Sequence, residues 1–168
     1  VELFITFSPV YPYEAIYKLS PSKRNSTQEE VVMKITVIGT GNMGSAFAKQ
    51  LSAAGHSVRI TGRDISKAQA LAAQYTNVSA YAAAEALGDS DVIVVATAYD
   101  DAATALKSLG DLTGKVVIDI TNPLSADYMS LTIGHVTSAS EEIAKAVPQA
   151  SVVKAFNTLF AQVLADGP

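Results

Sequence analysis

One stretch limits what this chain can fold into more than any other: Val37-Ile38-Gly39-Thr40-Gly41-Asn42-Met43-Gly44. The apolar run Ile35 to Ile38 leads into it with the length of a short buried strand, and Ser45 to Leu51 follows with helical periodicity. A G-x-G-x-x-G spacing between a strand and a helix gives each glycine a task. Gly39 permits the tight turn off the strand. Gly41 lets the backbone approach a pyrophosphate with no side chain in the way, and Gly44 lets the helix pack closely on the strand. The N–H groups at the helix start and the positive end of its dipole then face phosphate.

A chain of 168 residues is long enough to bury one real core. About half of it is apolar (49%), yet the uninterrupted apolar stretches are strand-sized, as near Val92 to Ala98, so no segment is expected to span a bilayer. Cysteine is absent, which excludes disulfides and thiolate chemistry. The net charge of −4 argues against general nucleic-acid binding. With no secretory signal evident, a cytoplasmic location is expected.

Residues 1–32 differ from the rest. Val1 to Phe7 alternates like a strand, Tyr11, Tyr13 and Tyr17 lie among Pro9, Pro12 and Pro21, and Pro21 to Glu30 is a polar linker. This segment reads as an extension of uncertain order, or an arm packing on a partner subunit, ahead of a domain spanning 33–168. From Met33 onward strands alternate with helices. Strands are expected at Lys34–Ile38, Ser57–Thr61, near Val78, at Val92–Ala96, Val116–Ile120 and Ser151–Ala155. Helices are expected at about Asn42–Ala54, stopped by Gly55, and at Ile65–Gln74 with Asp64 as N-cap. Further helices are expected at Ala82–Leu87, Asp101–Leu109, Ala139–Ala146 and Leu159–Ala165. This alternation implies an α/β fold with a doubly wound parallel sheet, of the Rossmann dinucleotide-binding type.

The end of the second strand bears on which dinucleotide would bind. An NAD site places an acidic side chain there, about 20 residues past the glycines. Here the sequence is Thr61-Gly62-Arg63-Asp64. The Arg63 guanidinium suits a 2′-phosphate, and Lys67 follows one helical turn later. Cations at a helix start oppose its dipole, so an anionic partner is expected and NADPH is favoured over NADH, with Asp64 leaving some room for NAD.

Four segments together resemble the NADPH-dependent F420 reductase family, the coenzyme F420-dependent NADP oxidoreductases. They are Gly39 to Gly44, Thr61-Gly62-Arg63-Asp64, Asp119-Ile120-Thr121-Asn122-Pro123-Leu124 and Val152-Val153-Lys154-Ala155-Phe156-Asn157-Thr158. The resemblance covers Met33 to about Ala165, and its last segment is the most specific. It implies a Rossmann fold, NADP(H) as cofactor and hydride transfer to or from an acceptor such as the deazaflavin F420 or a flavin. The related cytosolic domains of membrane ferric reductases bind NADPH in the same manner.

Carried onto this sequence, the resemblance puts the pyrophosphate on Thr40, Gly41, Asn42 and Met43, and the 2′-phosphate on Thr61, Arg63 and Lys67. Gly62 stands where serine is frequent. The loop Ala96-Thr97-Ala98-Tyr99 is implied to run toward the nicotinamide, with Ala98 where proline is frequent. Asn122, Pro123, Ala155, Asn157 and Thr158 are implied to approach the nicotinamide end. No catalytic acid or base and no metal site emerges. Hydride transfer between two bound cofactors depends on stacking, distance and exclusion of water more than on a titrating group. His56 reads as a turn residue and His135 as a loop residue with a small chance of touching substrate. Asp100-Asp101 and Glu141-Glu142 read as helix starts, and Tyr99 as a packing residue placed where it could also cover the nicotinamide or acceptor. Family members continue beyond the position of Pro168, so the chain is expected to lack their C-terminal portion. Two functions remain open. One is an NADPH oxidoreductase acting on a small-molecule or coenzyme substrate, as a possible homodimer. The other is an NADPH-binding module without its own catalysis.

Overall fold

The structure is a computed structural model that describes residues 31–167. The features expected of the N-terminal extension lie at residues 1–30, outside the described residues. Strand β1 (Lys34–Ile38) passes through the Gly39–Gly41 turn into helix α1 (Asn42–Ala53). There follow β2 (Ser57–Thr61), α2 (Ile65–Ala72), β3 (Val78–Ala80), α3 (Ala83–Ala86), β4 (Val92–Val95) and α4 (Tyr99–Lys107). The chain ends with β5 (Val116–Asp119), α5 (Ala139–Ala146), β6 (Ser151–Lys154) and α6 (Ala161–Asp166). All strand pairs are parallel, in the order β3-β2-β1-β4-β5-β6. This is the doubly wound arrangement that the alternation predicted. Its order reverses between β1 and β4, and the crevice outside the strand ends at that point is where such sheets take ligands.

Pleating places residues of β1 and β4 alternately on two faces, and both faces are covered, so β1 is buried from Ile35 onward and β4 is apolar throughout. Ile35 and Val37 of β1 and Val94 of β4 pack with Phe47, Ala48, Ala68 and Leu71 under α1 and α2. Ile38, Ile93 and Val95 point the other way, into a second core with Leu106, Leu109, Leu112 and Ile143 under α4 and α5. Ile60 and Ile93 are fully buried, each contributing about 1.5–3 kcal/mol relative to exposure. Thr36, also fully buried, is accommodated because its hydroxyl donates to the Ala86 carbonyl at 2.8 Å and accepts from the Ser90 hydroxyl, 2.9 Å away. The short α6 closes over α1, where Lys49 Nζ and Gln50 Nε2 both donate to the Ala165 carbonyl, at 2.7 and 2.9 Å.

Most element boundaries differ from expectation by one or two residues. The difference that matters is at α4, which starts at Tyr99 rather than Asp101. Ala98, at φ −63° and ψ 153°, is its extended N-cap, so Asp100 and Asp101 fall in the first turn, where carboxylates favour the helix dipole. Between β5 and α5 the chain is irregular, pinned by a single antiparallel bridge, Leu124 to Leu131.

Candidate active site

The ends of β1, β2 and β4 are laced together at the switch point. Gly39 N–H donates to the Thr61 carbonyl and Ala96 N–H to the Ile38 carbonyl, each at 2.8 Å. Above them opens a cavity of about 720 Å³, of a size that holds small ligands and cofactors. Of the residues singled out from sequence, Gly39, Thr40, Gly41, Thr61, Gly62, Arg63, Lys67, Ala96, Thr97 and Ala98 line it.

The three glycines separate by cause. Gly39 sits at φ +121°, and a Cβ there would lie 2.2 Å from the Ala96 carbonyl oxygen. A Cβ on Gly44 would lie 2.0 Å from the Gly39 carbonyl oxygen. Both are demanded by the fold. Gly41 is not: its φ is −80° and nothing lies within 4 Å of the Cβ it lacks. The space it spares belongs to the cavity. Gly41 is also the N-cap of α1 and offers no capping side chain, and the first turn carries no acidic residue. The first N–H groups of α1 are thus left for an anion. These features fit a pyrophosphate. Asn42, Met43 and Gly44 do not line the cavity; Met43 packs its side chain against the core, leaving it only a backbone role.

At the far end, Arg63 is 91% exposed and its Nη1 lies 3.5 Å from Asp101 Oδ2, across from the first turn of α4. The anionic partner expected for Arg63 is present within the chain itself. Lys67 is exposed on the same rim. Asp64 is committed to capping α2: Oδ1 accepts from Ser66 N–H at 2.9 Å and Ser66 Oγ at 2.6 Å, and these bonds hold its carboxyl below the usual range. Thr61 is buried, and its Oγ1 has no partner among the described residues. Where serine would follow, Gly62 faces Thr40: a Cβ there would meet the Thr40 methyl at 3.2 Å.

Several lining residues carry no motif. Asp101, Thr104, Ala105 and Ser108 form one face of α4, and Ala82 and Ala83 begin α3. The signal for the first group lies in the spacing i, i+3, i+4, i+7 of small or polar residues, opposite the buried Ala102 and Leu106.

The residues assigned to the nicotinamide end stand beyond the cavity lining, at the carboxyl ends of β5 and β6. Asn122 Nδ2 donates to the Asn157 carbonyl at 2.8 Å, and Asn157 Nδ2 to Asn122 Oδ1 at 3.3 Å. Between Ala155 and Asn157, Phe156 adopts φ +60°, a conformation costing about 1–3 kcal/mol for a bulky residue. It is retained by edge-on packing with Phe47, ring centroids 5.1 Å apart. Thr158 is exposed and Pro123 half-buried. Tyr99 turns away from the cavity toward α5, beside Glu142 and Ile143. Burial first, then Glu142, Asp100 and Asp119, raise its hydroxyl pKa. Its helical position, rather than a loop one, sends it there. His56 Nδ1 accepts from Met33 N–H at 3.4 Å, and His135 is exposed. Among the described residues no group of three His, Asp or Glu could hold a metal ion, and no helix is long and apolar enough to cross a membrane.

The chain is similar in sequence and fold to known proteins. Metalloreductase STEAP3 of Rattus norvegicus is 31% identical over 136 residues, 80% of this chain and 26% of that protein. The crystal structure of a candidate F420-dependent NADP reductase from Arthrobacter sp. FB24 superimposes with a TM-score of 0.71 at 33% identity, over 77% of this chain and 65% of that one. Hypothetical protein SMa0349 of Sinorhizobium meliloti gives 0.71 at 30%, over 80% and 66%. The chain thus spans about a quarter of the metalloreductase and just under two thirds of the two solved structures. Residues 34–123, from β1 to the Asn122-Pro123 turn, match the family model described as NADP oxidoreductase, coenzyme F420-dependent, and the chain belongs to that family.

Proposed function

We propose that this chain binds NADP(H) and serves hydride transfer between it and an acceptor such as coenzyme F420 or a flavin. The observation that carries the reading is Gly41, a glycine the fold does not need, at the uncapped start of α1 in a cavity that ends at Arg63 and Lys67. Bound NADPH would supply the hydride. The glycine turn and α1 would hold the pyrophosphate, and Arg63 and Lys67 the 2′-phosphate. The Asn122–Asn157 pair, with Pro123, Ala155 and Thr158, would orient the nicotinamide end, where positioning and exclusion of water govern the rate.

A specific observation favours a second reading, a nucleotide-binding module without its own catalysis. Asn122 and Thr158, assigned to the nicotinamide end, are exposed. Measuring NADPH oxidation against F420, flavins and ferric chelates separates the two. Oxidation by one acceptor class is the expected result; tight NADPH binding with no oxidation by any of them favours the binding module.

A further inference from the structure

We propose that Asp119 and Lys154 are a positioning pair for the nicotinamide end, setting the Asn122–Asn157 amide pair through the two turns that carry it. This rests on the NADP(H) reading above. Asp119 is the last residue of β5 and is fully buried. A carboxylate in such a place must be paired and hydrogen-bonded throughout. Its Oδ1 accepts from Thr121 N–H at 2.8 Å, and its Oδ2 accepts from Ser140 Oγ at 2.7 Å and from Lys154 Nζ at 3.1 Å. Lys154 ends β6 directly opposite Asp119 in the parallel register. Its ammonium also donates to the Thr121 carbonyl. The pair therefore grips both sides of Thr121, one residue before Asn122. On the other strand, Ala155 N–H donates to the Asp119 carbonyl at 3.1 Å, which fixes the path into Phe156 and Asn157.

A buried ion pair is weak evidence of stability, because well-packed apolar residues can replace it without loss. Geometry gives this one a different use. Charge fixes Thr121 from the side chains, Ser140 ties the same carboxylate to α5, and the two asparagines then meet three residues beyond each strand end. An apolar pair would hold the strands together but would not hold the Thr121 carbonyl and N–H in place.

The test uses the full chain with the double substitution Asp119→Asn/Lys154→Gln, which removes both charges and retains hydrogen-bonding groups. In nucleotide-free protein, the side-chain amide resonances of Asn122 and Asn157 are expected to collapse toward free-amide positions. With NADPH added, affinity should stay within about twofold, because the glycine turn leaves β1, two strands away from β5. The fluorescence gain of the dihydronicotinamide on binding should be lost, and any hydride transfer should fall roughly tenfold or more at unchanged KM for NADPH. Lys154→Arg should restore much of each signal. Amide resonances and dihydronicotinamide emission that superimpose on the wild type would overturn the assignment. If the wild type binds no NADPH, the nucleotide reading fails, while the amide resonances still decide the positioning role. If the double variant does not fold, Ser140→Ala, which removes one donor to Asp119 and no charge, is read by the same resonances; unchanged signals again overturn it.

Discussion

On the proposed NADP(H) reading, Arg63 and Asp101 would set the selectivity at the adenosine end. The pair is exposed and spans 3.5 Å, so it contributes at most about 1 kcal/mol and opens readily. A 2′-phosphate offers Arg63 a doubly charged, bidentate alternative. Arg63→Ala should weaken NADPH by on the order of 1.5–3 kcal/mol and leave NADH nearly unchanged. Asp101→Asn removes the competing carboxylate and should strengthen NADPH by up to about fivefold. Titrating both nucleotides against each variant checks this, and equal losses for NADH and NADPH in Arg63→Ala would remove the 2′-phosphate assignment. The placing of Arg63 on the cavity rim is legible in the sequence because it follows a strand end that lacks an acid. Asp101 is not, since its role comes from α4 crossing the cavity mouth, a contact no local pattern records.

At the scale of elements, the glycine turn and the start of α4 each yield a prediction. Gly41→Val should fold, with only a modest drop in melting temperature from the poorer N-cap, and lose both nucleotides, because a Cβ there meets no protein atom within 4 Å and points into the space left for the pyrophosphate. Gly44→Ala should instead lower the melting temperature markedly, since its Cβ would press on the Gly39 carbonyl. A folded Gly41→Val protein that still binds NADPH tightly would displace the pyrophosphate site. Ala98 already holds φ −63°, the value proline imposes, as N-cap of α4. Ala98→Pro should therefore raise stability by about 0.4–1 kcal/mol, read from urea unfolding. Strands and helices were legible because their periodicities are strong and both sheet faces are covered. The two-residue shift of α4 toward its N-terminus was not: Tyr99 looks like loop until the extended Ala98 is seen to cap it. The irregular run from Asn122 to Ser138 has no periodicity to read at all.

Apart from the buried Asp119–Lys154 pair, charge among the described residues acts through local caps and surface pairs. Hydrogen bonds from Ser66 hold the carboxyl of Asp64 below its ordinary value; the Lys34 hydrogen bond does so for Asp89, and Thr113 for Asp111. Ser125 acts likewise on Asp127, Ser138 on Glu141 and Lys145 on Glu142. Their partners Lys34 and Lys145 are raised. A depressed carboxyl contributes stability above its unfolded pKa and loses it as pH falls through the folded value; a raised lysine loses its contribution only in strong alkali. Stability should be flat between roughly pH 5 and pH 9 and decline below about pH 4. The urea midpoint measured across pH at fixed ionic strength checks this, and a decline already under way at neutral pH would point to other titrating groups.

The fold, the uncapped α1 and the cationic rim converge on one claim, that the cavity is built for the phosphates of NADP(H). Calorimetric titration of the whole chain with NADPH and with NADH tests it most directly. NADPH should bind roughly ten- to a hundredfold more tightly, as the 2′-phosphate contact requires. Equal affinity for the two nucleotides, or no binding of either, would contradict the account.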